Sequence, residues 1–298
     1  MNATETWTVG RLLTWTTDYL KKQGSESARL DAEILLAHAR ECERIQLYTA
    51  FDEEPTEEQR TAFREMVRRR AEGSPVAYLV GYKEFYSAPF EVNSDVLIPR
   101  PETEHLIVEA LDCAKELREL RGDSAAALTV ADIGTGSGAV AVTLANHLSG
   151  ARIFATDISN EALAVAQKNA ETHECSADRL SFHQGNLLEP IRENGPFDLI
   201  VSNPPYVSAE EYANLAASVR DYEPKTALVA DQGGAGLILE LLEQAAPVLA
   251  ADGRVVIEYS PMLASTSESW LPQGWKPLRR VKDYADHQRV LTLVQRGE

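Results

Sequence analysis

From residue 128 onward the chain alternates short apolar runs with segments of helical periodicity, and this alternation limits the possible fold more than any other feature. The runs LTVADI (128–133), RIFATDI (152–158), LSFHQ (180–184), FDLIVS (197–202) and RVVIEY (254–259) have the length and residue types of strands. Helical segments near 101–121, 138–149, 160–172 and 234–250 separate most of them. Strands that are apolar along their whole length are covered on both faces, and strands joined through helices pair in parallel. The expected fold is therefore α/β, with helices on both faces of a mostly parallel sheet. RVLTLVQ (289–295) is expected to close that sheet as an antiparallel edge strand.

The first part of the chain has a different character. Thr8 is placed to cap a helix with Val9, Leu12, Leu13, Thr16 and Leu20 on one face, ending at Gly24. SARLDAEILLAHARE repeats Ala28, Ala32, Leu35, Leu36 and Ala39 at helical spacing. Thr56 and Gln59 have capping-box spacing ahead of a third helix running to Gly73. Its basic run, Arg68 to Arg70, falls in the last turn, where cations offset the helix dipole, so a solvated helix end explains it better than an RNA contact. Residues 1–73 are thus expected to form a small helical bundle. Residues 74–98, richer in Gly, Pro and aromatics, are expected to form a β-hairpin connector, and residues 99–298 the α/β domain.

Composition narrows the function. Hydrophobic residues make up 44% and charged residues 25%, as in globular proteins. The 29 basic against 46 acidic side chains give a net charge of −17, most of it after residue 90. Such a field repels polyanions and opposes phosphate-dominated binding, so nucleic acid is not the expected partner. No apolar run reaches the roughly 18 residues of a membrane span. MNATETWTVGRLL lacks the basic and apolar regions of a secretory signal. Cys42, Cys113 and Cys175 have no metal-ligand or disulfide spacing, and the six histidines are scattered, so no metal is expected and a reduced, cytoplasmic setting is.

The most informative turn is Asp132-Ile-Gly-Thr-Gly-Ser-Gly138, between a strand and a helix. Its glycines let the backbone turn tightly and approach a ligand closely. Asp157 ends the next strand, where a carboxylate can accept hydrogen bonds from both hydroxyls of a ribose. Together they point to a nucleoside cofactor. Gly134, Gly136 and Ala139 also satisfy the dinucleotide pattern, so at this level a nicotinamide cofactor is a legitimate rival.

Asn203-Pro204-Pro205-Tyr206, directly after FDLIVS, separates the two. Here the chain resembles the Asn-Pro-Pro-Tyr amino methyltransferases that use S-adenosylmethionine. The resemblance implies a cofactor pocket formed by Asp132, Gly134, Thr135, Gly136, Ser137, Gly138, Asp157 and Asn203. Asn186 and Leu187 match the positions flanking the adenine, although Asp is common in the family where Asn186 stands. The tetrapeptide has its own chemical logic. The Asn203 side-chain oxygen and the Pro204 carbonyl can each accept one N–H of a planar amide or amine and so orient its nitrogen at a methyl donor. The prolines fix the carbonyl direction, and the Tyr206 ring offers a surface for the planar group.

Asn-Pro-Pro-Tyr also serves adenine N6 and guanine N2 methylation, so other segments narrow the substrate. Leu97-Ile-Pro-Arg-Pro-Glu-Thr-Glu104 resembles the signature of the glutamine N5-methyltransferases of peptide chain release factors (HemK/PrmC type). Pro75 to Gly81 with Glu84-Phe85-Tyr86, Val219 to Leu228, and Asp283 to Val290 match further segments. The likeness covers almost the whole chain. It implies a Rossmann-like class I methyltransferase domain with a seven-stranded sheet, preceded by a helical substrate-recognition domain. It further implies methylation of the glutamine amide in a release factor's Gly-Gly-Gln loop. Asn203 and Pro204 would be catalytic, with Pro205 and Tyr206 at the substrate and Arg100 and Glu102 supporting the site from behind. The expected enzyme is cytoplasmic and monomeric. Two segments depart from the family: Glu258-Tyr-Ser-Pro-Met262 replaces Glu-Ile/His-Gly and a nearby Gln, and Asp286 replaces a common Gly.

Overall fold

The computed structural model describes residues 6–122 and 127–296, so the first five residues of the N-terminal stretch lie outside it. The chain divides into two compact units. One is Met1–Tyr82 together with Ala216–Tyr222; the other is Lys83–Leu215 with Glu223–Glu298.

The first unit is helical: α1 (Val9–Lys22), α2 (Ala28–Ala39), α3 (Gln46–Thr49), α4 (Glu57–Ala71) and α5 (Val76–Val80). Thr8 caps α1 through the Arg11 N–H, and Thr56 and Gln59 form a reciprocal capping box on α4. Val9, Leu13, Leu20, Leu35, Leu36, Leu47, Phe63 and Val67 fill the core. Two members of the basic run form ion pairs within this unit. Arg68 pairs with Glu65 and Glu72, and Arg70 meets Asp31 at 2.7 Å. Residues 74–98 do not begin as a connector. Pro75 opens the five-residue α5, which ends at Gly81 with φ 83°, and a helix this short leaves no periodicity to read. The hairpin follows as β1 (Tyr82–Phe85) and β2 (Ala88–Glu91), turned by Tyr86 and Ser87 at φ 49° and 62°.

The second unit continues with α6 (Glu104–Leu120), β3 (Thr129–Ile133), α7 (Ala139–His147), β4 (Arg152–Asp157), α8 (Asn160–Thr172), β5 (Leu180–Gln184) and β6 (Phe197–Ser202). After α9 (Ala209–Ala213) the chain contributes α10 (Ala217–Arg220) to the helical unit, where Tyr222 Oη donates to the Glu72 carbonyl at 2.9 Å. It then forms α11 (Gly236–Ala245), β7 (Leu249–Glu258), β8 (Trp275–Lys282) and β9 (Gln288–Gln295).

The seven strands lie in the order β5-β4-β3-β6-β7-β9-β8. The first five are parallel, and β9 runs antiparallel to both β7 and β8. The last strand is therefore antiparallel as expected but interior, and β8 takes the edge. β8 escaped the sequence reading because half of WKPLRRVK is charged and it contains a proline. Its alternating burial is that of an edge strand with one wet face. On the central strands, Val130, Leu199, Val201 and Val256 face one apolar core with α6 and α7, while Ala131, Ile133, Ile200, Val255 and Ile257 face another with α11.

Both departures from the family pattern have local causes. Asp286 adopts φ 67°, a conformation natural to glycine and tolerated by Asp, in the turn between β8 and β9. Ser260 caps a short helix, Pro261–Ser265, by accepting the Leu263 N–H, and Pro261 sits at its first position.

Candidate active site

All five parallel strands deliver residues to one edge of the sheet. β3 leads into the glycine turn, β4 ends at Asp157, β5 precedes Asn186, β6 precedes Asn203 and β7 ends at Glu258. Strand order reverses between β3 and β6, and a doubly wound sheet opens its ligand crevice at such a point. The Ser202 hydroxyl spans it, donating to the Ile133 carbonyl at 2.7 Å.

On the β3 side, Gly134, Gly136 and Gly138 have φ of 71°, 55° and 78°. They differ in surroundings. A Cβ on Gly134 or Gly136 would meet nothing within 4 Å, whereas one on Gly138 would come 3.0 Å from the Ala166 Cβ. The first two leave room for a ligand; the third lets α7 and α8 approach. The Gly134 and Thr135 N–H groups donate to the Thr156 carbonyl, both at 2.9 Å. Asp132 is buried beneath the turn and accepts the Thr135 hydroxyl at 2.6 Å. Burial pushes its carboxyl up to about 7; the Thr135 hydroxyl and the Ala141 N–H oppose the rise, and the charge of Asp157 adds to it. Asp157 accepts the Gly136 N–H at 2.9 Å and the Ser159 N–H at 3.0 Å, which hold its carboxylate at the mouth of the turn.

Beside β5, the Asn186 side-chain amide donates to Glu240 of α11 at 2.6 Å. Leu187 has φ 49°, and its carbonyl accepts the Thr156 hydroxyl at 2.8 Å. Leu188 N–H donates to Gln244 at 2.9 Å. The turn is thus fixed on both sides, by β4 and by α11.

After β6, Asn203 Nδ2 donates to Thr103 Oγ1 at 3.1 Å, and Tyr206 Oη donates to Glu258 Oε1 at 3.1 Å. Pro204 is buried; Asn203, Pro205 and Tyr206 are partly exposed. The backbone beyond is clamped. Val207 exchanges hydrogen bonds with Leu228 and Ala230, and a Cβ on Gly234 would fall 2.3 Å from the Tyr206 carbonyl oxygen. Arg100 binds Glu223 at 2.6 Å, and the same buried carboxylate accepts the Ile98 N–H at 3.2 Å. This links the 97–104 segment to the 219–228 segment. Glu102 and Arg289 act electrostatically on Glu258.

Sequence reading singled out the glycine turn, Asp157, Asn186 and the tetrapeptide, and they meet along one strand edge. It did not single out Thr103, Glu223, Glu240, Gly234 or Glu258. Thr103 and Glu223 lay inside motifs already noted, and Glu258 was visible only as the first residue of a departing segment.

Residues 11–81 match the PrmC N-terminal domain family, and residues 111–220 match the methyltransferase small domain. A release factor glutamine methyltransferase of Rhodopirellula baltica is 50% identical over 289 residues, 96% of each chain. The protein of that name from Chlorobaculum tepidum is 40% identical over 292 residues, 97% of each chain. That from Geobacter sulfurreducens is 42% identical over 244 residues, 82% of this chain and 80% of its own. Identity at this level, sustained along nearly the whole of both chains, means that this chain belongs to the release factor glutamine methyltransferase family.

Proposed function

We propose that this enzyme transfers a methyl group from S-adenosylmethionine to the side-chain amide nitrogen, N5, of the glutamine in the Gly-Gly-Gln motif of peptide chain release factors. The observation that carries this reading is the juxtaposition at the switch point. An open glycine turn with its carboxylate lies on β3 and β4, next to an anchored Asn-Pro-Pro-Tyr on β6.

The residues present fit the methyl donor. Gly134 and Gly136 leave space that a side chain would occupy, and Asp157 is held ready to accept ribose hydroxyls. Gly134 to Gly138, with Thr135 and Ser137, would line the cofactor, supported from below by Asp132, while Asn186 and Leu187 would flank the adenine. When bound, S-adenosylmethionine supplies an electrophilic sulfonium methyl.

The chain's own residues would do the rest. An amide nitrogen is a weak nucleophile because its lone pair is shared with the carbonyl. Asn203 Oδ1 and the Pro204 carbonyl would each accept a hydrogen bond from one of its N–H groups, which orients the nitrogen and favours tetrahedral geometry as the N–C bond forms and the methyl–sulfur bond breaks, the displaced amide proton passing to solvent. Pro204 and Pro205 hold the carbonyl direction, and Tyr206 packs on the planar group. Arg100 with Glu223 would brace the loop behind them, with Glu102 nearby.

The helical unit has its own core, and we assign it to recognition of the release factor. Both ligand sites come from one chain, so a monomer suffices. Among the described residues no helix is long and apolar enough to cross a membrane. The free cysteines and a translational substrate favour the cytoplasm. Adenine N6 or guanine N2 methylation would use the same clamp, but a net charge of −17 opposes nucleic-acid binding. The test is transfer of labelled methyl from S-adenosylmethionine to release factor, RNA and DNA offered in parallel. Label in release factor alone is expected; label in a nucleic acid alone would overturn the reading.

A further inference from the structure

Glu258 takes no part in the chemistry above, yet it is among the most enclosed charged groups in the protein, 1% exposed at the end of β7. Its Oε1 accepts Tyr206 Oη at 3.1 Å, and its Oε2 is sealed from solvent without a hydrogen-bond partner. Thr103, 4% exposed, faces the same carboxylate and stabilises its charge. On its other side, Thr103 Oγ1 accepts Asn203 Nδ2 at 3.1 Å. Carboxylate, hydroxyl and side-chain amide therefore lie in one series that ends at the tetrapeptide, with the sealed Oε2 the acceptor still open to the Thr103 hydrogen.

Donor and acceptor roles along that chain are not interchangeable. An ionised carboxylate only accepts, a hydroxyl has one hydrogen, and an amide side chain has a donor end and an acceptor end. With the Thr103 hydrogen drawn to Glu258, only lone pairs of Oγ1 face Asn203. Asn203 must then present Nδ2 to Thr103, which leaves Oδ1 for the incoming group. The reversed amide would set Oδ1 against an oxygen lone pair and offer N–H to a substrate that itself has only N–H to give. We propose that Glu258, acting through Thr103 and Tyr206, fixes the hydrogen-bond polarity of the Asn203 site, making Glu258 and Thr103 positioning residues that select methyl acceptors bearing two N–H groups. This inference rests on the amide-methylation reading.

Polarity of this kind depends on charge. Burial pushes Glu258 up to about 7, opposed by the Thr103 and Tyr206 hydroxyls and the charge of Arg289 on β9, and reinforced by Glu102 ahead of α6. Once protonated, Glu258 becomes a donor, and the Thr103 hydroxyl is free to turn toward Asn203. Turnover should therefore decline as pH falls through this range.

The experiment compares kcat, KM for release factor and S-adenosylmethionine affinity in the wild-type enzyme, Thr103→Val, Thr103→Ser and Glu258→Gln. Thr103→Val keeps the shape and removes the hydroxyl, so kcat should fall roughly 10- to 100-fold, the effect of one hydrogen bond tied to a charge, with cofactor affinity unchanged. Thr103→Ser should recover kcat to within about threefold of wild type, since the hydroxyl returns. Glu258→Gln should lower kcat and flatten its acid limb, and combining it with Thr103→Val should cost little more than the larger single change. If Glu258→Gln does not fold, the Thr103 pair decides alone. Wild-type kcat in Thr103→Val, or equal losses in Thr103→Val and Thr103→Ser, would overturn the inference. A wild-type enzyme that labels no release factor would instead overturn the amide reading, and the inference with it.

Discussion

A methyltransferase acting on an amide gains little from a strong base, because the difficulty lies in a delocalised lone pair rather than in a tightly held proton. Orientation must supply the rate. Two substitutions would separate the orienting role proposed for Asn203 from the ribose-binding role proposed for Asp157. Asn203→Ala should lower the single-turnover methylation rate by orders of magnitude while S-adenosylmethionine affinity changes little. Asp157→Ala should weaken S-adenosylmethionine binding by about 1.5–3 kcal/mol, typical of hydrogen bonds to a charged group, with titration calorimetry as the readout. The residues in both tests were legible in the sequence because each motif is local. A glycine turn and its strand are contiguous, and Asn203 to Tyr206 are four neighbours. What anchors them was not legible. Asn203 is tied to Thr103 across 100 residues and Tyr206 to Glu258 across 52, distances at which no periodicity or spacing carries information. A buried glutamate at the end of an apolar run reads in sequence as a strand terminus, not as the partner of a tyrosine.

At the scale of elements, the strand FDLIVS begins and ends where its run does, because it is buried along its whole length and such a strand is mostly apolar. β8 shows the converse. An edge strand can carry Lys276, Arg280 and Lys282 on one wet face, so its pattern is hidden by charge, and β9 was assigned the edge that β8 holds. The contribution of 216–222 to the helical unit was equally hidden. It depends on Tyr222 reaching the Glu72 carbonyl 150 positions away, within a stretch that otherwise continues the α/β domain. The glycine turn offers the test at this scale. Gly138→Ala places a methyl 3.0 Å from the Ala166 Cβ and 3.1 Å from its Cα, at φ 78°. It should destabilise the fold by about 1–3 kcal/mol, from left-handed strain and overpacking between α7 and α8. Denaturant unfolding would measure this, and an unchanged midpoint would show that the helices can part without cost.

For the whole molecule, charge is the dominant property. With 46 acidic against 29 basic side chains, the protein carries a field that opposes the approach of a polyanion. Two of those acids run against the usual trend. Asp132 and Glu258 are raised to about 7 by burial, whereas Asp283 is held at about 2, chiefly by Arg289. An acid that titrates near 7 when folded and near ~4 when unfolded binds its proton more tightly in the folded state. Its stabilising contribution is full below the unfolded value, declines as pH rises to the folded value, and is level above it. The stability of the wild type relative to Asp132→Asn should therefore fall with rising pH between about 4 and 7, at up to roughly 1.4 kcal/mol per pH unit, and then stay constant. Denaturant titrations of both proteins across that window would check it; a difference that grows with pH would show that Asp132 is ionised and stabilised where it lies. The central claim concerns the product. Mass spectrometry of release factor treated with enzyme and S-adenosylmethionine should place a single added methyl on the glutamine of the Gly-Gly-Gln motif and none once that glutamine is replaced, whereas a methyl on any other residue, or an unmodified glutamine after full turnover of the cofactor, would contradict it.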